Sequence, residues 1–458
     1  MRVIICGAGQ VGYSIASYLS REKNDVTVVD VHKPLISRVN DELDVKAILG
    51  HAANPDILNA AGANDADILI AVTQSDEVNM VACQIGHSLF GIPKKIARVR
   101  EQSYLKPEWS NLFSRAHMPI DVIISPEILV AQDIYQRLAV PGTTFVNILA
   151  DGLAHMIGVI CQQDCPVINR SVNEIYNTFS DLSFRILAIL RNNKPLIPDN
   201  SEILQLYDEV FFVVDTAHLK RAMAAFGHEE AQAERILIAG GGNIGEGLVR
   251  LLKMKSKNVQ IKIIDSNPQR CEVLSGKFES TIVLNGSALD KNILSEASIE
   301  SIETMIAVTN DDESNILGSL LAKQYGCGRV ITLVNNEIYS PLVGPLGVDV
   351  MISPRSIIAA NIMQHVRRGR IKGVYNLRHG FAEIIEAEVS ESSSIANKTI
   401  EDFSLAHEVI VGGVIRNGEF IIPQDNFSVR VGDGIIILAS RAQAQNVEKM
   451  FSVHVDIF

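Results

Sequence analysis

A single local pattern, present twice, limits the folds open to this chain. Val3-Ile4-Ile5-Cys6 runs into Gly7-Ala8-Gly9-Gln10-Val11-Gly12, a helix-like segment follows, and Val26-Thr27-Val28-Val29 ends at Asp30. From residue 236 the order returns as Ile236-Leu237-Ile238-Ala239, Gly240-Gly241-Gly242-Asn243-Ile244-Gly245, then Ile261-Lys262-Ile263-Ile264 and Asp265. Strand, glycine turn, helix, strand and acid together suit a nucleotide. Gly7 permits a tight turn, Gly9 leaves room for a phosphate against the backbone, and Gly12 lets helix and strand pack closely. Unpaired N–H groups at the helix start, beside Gln10 and Val11, favour an anion. Asp30 is placed to accept hydrogen bonds from ribose hydroxyls. A lone glycine motif is weak evidence; here strand context, spacing to the acid and recurrence agree.

The rest of the first half extends the pattern. A buried strand is expected over 67–72, a helix over 77–89, and further strands over 96–99 and 120–124, the last ending at Ser125-Pro126. Strands alternating with helices imply a parallel sheet. The first Rossmann-like domain is therefore placed at residues 1–133. From about Val140 the texture changes to short strand-like runs split by turn signals such as Asn192-Asn193-Lys194-Pro195, which reads as a small α+β module over 134–226. The polar stretch 227–234 reads as a linker. The second half repeats the plan. Gly50-His51-Ala52 returns as Gly286-Ser287-Ala288, Ala71-Val72-Thr73 as Ala307-Val308-Thr309, and Asp121-Val122-Ile123-Ile124-Ser125-Pro126 as Asp349-Val350-Met351-Ile352-Ser353-Pro354. The fold class is thus α/β: a second Rossmann-like domain over 234–368 and a second α+β module over 369–458.

Composition narrows the function. The formal net charge is −12, which disfavours nucleic acid and anionic lipid as partners. No apolar run approaches the ~18–20 residues needed to span a bilayer. The first core strand begins at residue 2 or 3, so no signal peptide is expected, and the protein is placed in the cytosol or peripherally on a membrane's cytosolic face. The six cysteines are scattered, only Cys161 and Cys165 being close, which reads as reduced buried thiols and no metal site. A dehydrogenase would need a second domain carrying acid–base groups to a nicotinamide. These small modules show no recurring His, Lys or Arg constellation: His155 is matched by Phe381 in the second copy. An NAD-dependent oxidoreductase is the rival reading, and a sensor without catalysis fits better.

Two motifs carry more than one reading. Thr73-x-x-Asp76 fits a capping box for the following helix, while Thr73 also stands where such folds meet their ligand. Arg98, at the end of the fifth strand, suits either a phosphate or a surface ion pair, and its second-half counterpart is the apolar Leu333. A basic cluster, His365, Arg367, Arg368, Arg370 and Lys372, joins the second Rossmann-like domain to its final module.

The fingerprint, Ala-Val-Thr-x-x-Asp-Glu-x-Asn after the fourth strand, Ile-Ala-Arg-Val-Arg on the fifth and Ser-Pro on the sixth resemble RCK (KTN) domains. Two in tandem, each with an RCK C-terminal module, are similar to the TrkA family, cytosolic regulatory subunits of bacterial Trk potassium uptake systems. The resemblance spans essentially the whole chain. It implies a homotetrameric ring under a TrkH/TrkG-type membrane subunit at the inner membrane, gated by NAD(H) or by ATP/ADP. The cofactor-contacting residues it points to are Gly7, Ala8, Gly9, Gln10, Val11, Gly12, Asp30, His51, Thr73 and Arg98. In the second half they are Gly240, Gly242, Asn243, Ile244, Gly245, Asp265, Ser287 and Thr309. Such domains often place an acid after the glycine that follows strand three; His51 and Ser287 stand there instead. Asp30 favours an unphosphorylated ribose, NAD over NADP, and does not separate NAD from ATP.

Overall fold

The structure, a computed structural model, describes every residue except 22–23, 257, 367–370, 378–380, 404–407 and 452–458. Arg367, Arg368 and Arg370 of the basic cluster therefore lie outside the described residues. Packing divides the chain into two units: Met1–Asp133 with Arg235–Val366, and Ile134–Glu234 with what is described beyond 366.

In the first unit each Rossmann-like half builds a six-stranded parallel sheet. The first runs in the order Lys46–Leu49, Asp25–Asp30, Arg2–Cys6, Ile68–Ala71, Lys94–Arg98, Val122–Ile124. The second repeats that order with Ile282–Asn285, Gln260–Asp265, Arg235–Ala239, Thr304–Ala307, Arg329–Leu333 and Val350–Ile352. The strands are mainly Val, Ile, Leu and Ala because both faces are covered. Alternate residues of the first strand go to opposite sides. Val3 and Ile5 pack under helix Gln10–Arg21, while Ile4 and Cys6 pack under helix Asp76–Ser88.

A feature not expected from periodicity is a pair of helices after the sixth strands, Pro126–Ala139 and Pro354–Val366, that cross between the two halves. Ile358, Ile362, Met363 and Val366 of the later helix complete the core of the first domain, each at most 4% exposed. Burying each such side chain contributes roughly 1.5–3 kcal/mol. The exchange is reciprocal. Gly247, on helix Asn243–Lys255, faces Ala131, and a Cβ there would stand in ordinary contact with the alanine methyl at 3.6 Å.

In the second unit both small modules are five-stranded antiparallel sheets with the same connectivity. The first runs Lys194–Leu196, Phe184–Arg191, Glu209–Asp215, Ala154–Ile160, Thr143–Leu149, and the second Glu419–Ile421, Val409–Arg416, Gly434–Ser440, Ala382–Glu388, Ile371–Asn376. The outer hairpin strands are Lys194–Leu196 and Glu419–Ile421. One charged device recurs in both. Arg191 donates through Nε and Nη2 to the two oxygens of buried Asp208 (2.9 and 2.8 Å), and Arg416 does the same to Asp433 (2.9 and 2.7 Å). Each arginine also ties down a loop carbonyl, Ile203 or Ser428, at 2.8 Å. A lysine cannot reproduce this planar fork. Arg191→Lys is expected to cost about 1–2 kcal/mol in urea unfolding, the scale of one or two charge-assisted hydrogen bonds.

The segment read as a linker is partly packed. His228 is buried, its ring meeting Ile160 O at 3.2 Å and Glu230 at 3.0 Å. His155 bonds Thr216 at 3.0 Å through Nδ1, and burial lowers its pKa. Its counterpart Phe381 packs edge-on against Phe211 at 6.3 Å. All six cysteines are buried and free. No helix of the described residues is long and apolar enough to cross a membrane.

Candidate functional site

The first glycine turn divides its labour among its three glycines. Gly7 has φ +111°, and a Cβ there would meet Val72 O at 2.9 Å. A Cβ on Gly12 would fall 1.8 Å from Gly7 O, so these two serve the packing of strand, turn and helix. At Gly9 nothing lies within 4 Å of an added Cβ. That open side is where a ligand has room.

Asp30 is committed first to the protein. Its Oδ2 accepts from Ala8 N at 2.7 Å, and Oδ1 accepts from His32 N at 2.8 Å with His32 Nδ1 at 2.9 Å. The acid thus pins the turn against the second strand. A carboxylate has about four acceptor positions, so capacity remains toward the cavity.

The capping-box reading of Thr73 and Asp76 is corrected by the structure. Helix Asp76–Ser88 is capped by Ser75, whose side chain accepts from Val78 N at 3.2 Å. Thr73 is held instead by Asn79, whose Oδ1 accepts from Thr73 N (2.8 Å) and from Oγ1 (2.7 Å). Asn79 Nδ2 then donates to Arg98 O at 2.9 Å, tying the ends of the fourth and fifth strands together. Asp76 accepts from Arg100 N and Glu101 N, both at 2.8 Å. The second half copies this with Thr309, Asn315 and Leu333 O, its cap being Asp311.

Arg98 is not in a surface ion pair. Its side chain is buried, Nη2 donates to Thr73 O, and Nε finds no partner. Burial, followed by the neighbouring Arg100, pulls its pKa down to about 10. A buried guanidinium with an unmet donor is costly unless something polar meets it.

These groups face a cavity of about 620 Å³. Of the residues singled out in the sequence, Gly7, Gly9, Gln10, Val11, Asp30, His51, Thr73, Arg98, Ile244 and Thr309 line it. Ala8 and Gly12 support the turn from behind. Gly240, Gly242, Asn243, Gly245, Asp265 and Ser287 belong to the second turn and do not line this cavity. His51 and Ser287 play one local part, accepting from Ala53 N and Leu289 N respectively, both at 3.2 Å.

Sequence reasoning missed three charged lining residues: Arg100, Glu127 and Arg355. Glu127 Oε2 is buried without a partner, Oε1 lies 3.6 Å from Arg100 Nε, and burial raises its pKa. Glu127 and Arg355 begin the two crossing helices at matching positions, so one copy of the repeat supplies an acid and the other a cation. The signal was the Ser-Pro pair that precedes each. Among the described residues no group of three His, Cys, Asp or Glu is arranged to hold a metal.

Comparison with known proteins agrees with this architecture. The TrkA-N domain model matches residues 3–126 and 236–354, and the TrkA-C domain model matches 157–227 and 384–452. The chain is 43% identical over 458 residues to the Trk system potassium uptake protein TrkA of Azorhizobium caulinodans, covering 100% of both chains. It is 38% identical over 462 residues to the protein of that name from Halomonas elongata, again covering 100% of each. Among solved structures, one titled "GsuK channel bound to NAD" superposes with a TM-score of 0.60 at 18% identity, over 98% of this chain and 78% of that one. At that identity the likeness concerns the fold.

Proposed function

Because the chain belongs to the TrkA family of Trk-system potassium uptake proteins, we propose that it is a regulatory subunit without catalysis whose first Rossmann-like pocket senses an adenine nucleotide. The observation that carries this is that Arg98, a buried guanidinium whose Nε has no partner, lines one 620 Å³ cavity together with the open Gly9 and with Asp30. Helix N–H groups and a desolvated guanidinium suit phosphates; the acid suits ribose hydroxyls. NAD(H) and ATP/ADP both present that chemistry, and a GsuK channel structure carries NAD in its title. Lining residues from both Rossmann-like halves give the ligand a way to favour one arrangement of the halves. A ligand shifts an equilibrium only by its difference in affinity for the two states. The reading's output is a bias on a TrkH/TrkG-like membrane subunit, delivered by a homotetramer at the cytosolic face.

Calorimetric titration with NADH, NAD, ATP and ADP tests the pocket. Arg98→Ala is expected to weaken the preferred ligand about 10- to 100-fold, the scale of one lost charge-assisted contact. Unchanged affinity, or no binding to folded wild-type protein, would discard the proposal. Loss of nucleotide-dependent co-purification with the membrane subunit in Arg98→Ala would link pocket to partner.

A further inference from the structure

The two glycine turns are built alike and closed differently. At the second, the side chain of Arg270 lies across the turn. Its Nε donates to Gly241 O at 2.6 Å and its Nη2 reaches Gly242 O at 3.4 Å. The same Nη2 pairs with Glu246 Oε2 at 2.8 Å. Glu246 is itself gripped by Lys277 at 2.6 Å and by Arg250 at 2.5 Å, leaving its side chain only 13% exposed. Burial works against its charge, yet Lys277, Arg250 and Arg270 together hold its carboxyl at about 2, so the cluster stays ionised at neutral and mildly acidic pH.

A second observation points the same way. A Cβ on Gly241 would stand 2.5 Å from Leu274 Cδ1 and 3.2 Å from Asp265 Oδ2. The first turn carries Ala8 at that position, with its methyl accommodated. Helix Pro268–Lys277 therefore presses its side chains onto the ribose side of the second turn more closely than its counterpart does on the first. The arm across the turn does not recur in the first half, where the two helices are linked instead by Tyr13 Oη donating to Glu42 Oε2 at 2.5 Å. Counting from each acid, Arg270 corresponds to Leu35 and Lys277 to Glu42; counting from each turn, Glu246 corresponds to Tyr13 and Arg250 to Ser17. Leu35 lines the open cavity.

We propose that Arg270, held by Glu246, bars the approach to the second glycine turn although Gly242 itself keeps open space, so that each chain takes one adenine nucleotide, at the first turn. This rests on the nucleotide reading above. Opening the second turn requires breaking the bonds of Arg270 to two backbone carbonyls and to a carboxylate before a ribose or diphosphate gains access. The duplication has then kept the second fold as a partner that completes the first cavity, through Ile244 and Thr309, without keeping its ligand.

The test is binding stoichiometry on the whole chain, with MgATP and NADH as separate probes. Wild type should bind one nucleotide per chain and lose it in Gly9→Val. Arg270→Leu, which installs the residue found at this place in the first half, should bind two. The added site should vanish when Gly242→Val is combined with it, because Gly242 has room for a side chain but would lose room for a phosphate. If Arg270→Leu is poorly folded by circular dichroism, Glu246→Gln loosens the same clasp at constant volume and should show the second site at lower affinity. Two sites in wild type, or one in every clasp variant, would overturn the inference. No binding in wild type but one Gly242-dependent site in Arg270→Leu would sink the reading of the first turn and leave the clasp standing. No binding by any protein would remove both.

Discussion

Gly12→Ala is expected to destabilise the first Rossmann-like domain by about 3 kcal/mol or more, whereas Gly9→Val should leave it folded. The difference comes from what each added atom meets. The new Cβ at Gly12 would overlap the carbonyl oxygen of Gly7 at 1.8 Å, and that oxygen belongs to backbone fixed between two strands. Relief requires helix Gln10–Arg21 to move off the sheet, breaking the packing of Ile15, Ala16 and Leu19. At Gly9 the added side chain enters open cavity. There it occupies the space proposed for phosphate, and nucleotide affinity should fall at least about 100-fold, or roughly 2.7 kcal/mol. Unfolding followed by the fluorescence of Trp109, the only tryptophan, reports on the first half. Equal stabilities for the two variants would show that the turn relaxes, and that the glycine pattern is not read here by sterics.

The same comparison shows what was legible in the sequence. Glycine positions, the alternation of strands and helices and the matching of Arg98 to Leu333 follow from local spacing and from the repeat, and Asn79 and Asn315 bond those residues' carbonyls equivalently. The Thr73-x-x-Asp76 pattern misled because a capping box is a two-residue rule. The structure uses Asn79, six residues on, to hold Thr73, and spends Asp76 on the backbone of Arg100 and Glu101. Arg98 left a phosphate contact and a surface ion pair both open, since nothing in its neighbours says that a cavity wall closes over it. Glu127 and Arg355 were invisible for a different reason. Each starts a helix that packs on the other half, and no local periodicity encodes an exchange between segments more than 200 residues apart. The repeat held the clue, because Ser-Pro is followed by an acid in one copy and a cation in the other. A difference between copies is informative only once the fold shows that both positions face one space.

Copy differences also predict the second large effect. Lys95 is 1% exposed in the middle of a buried strand, with Nζ 2.7 Å from Asp121 and 3.2 Å from the carbonyls of Ile92 and Pro93. Asp121→Ala removes the carboxylate that, among the described residues, pairs with that ammonium, and should cost about 3–5 kcal/mol, because an uncompensated buried charge remains. Lys95→Met is a different experiment. It removes the charge together with its desolvation cost, fills much of the same volume, and leaves Asp121 with access to water. The second copy has already made this exchange: Val330 stands at the matching strand position, fully buried, and Asp349 turns to Lys323 on the adjacent helix at 3.1 Å. Lys95→Met should therefore change stability by less than about 1.5 kcal/mol. Asp121→Ala placed on that background should cost far less than it does alone, leaving a coupling of about 2 kcal/mol or more. Additive losses in the double variant would mean that Asp121 acts through the strand backbone, where it accepts from Lys95 N at 2.7 Å, and that the ion pair itself contributes little.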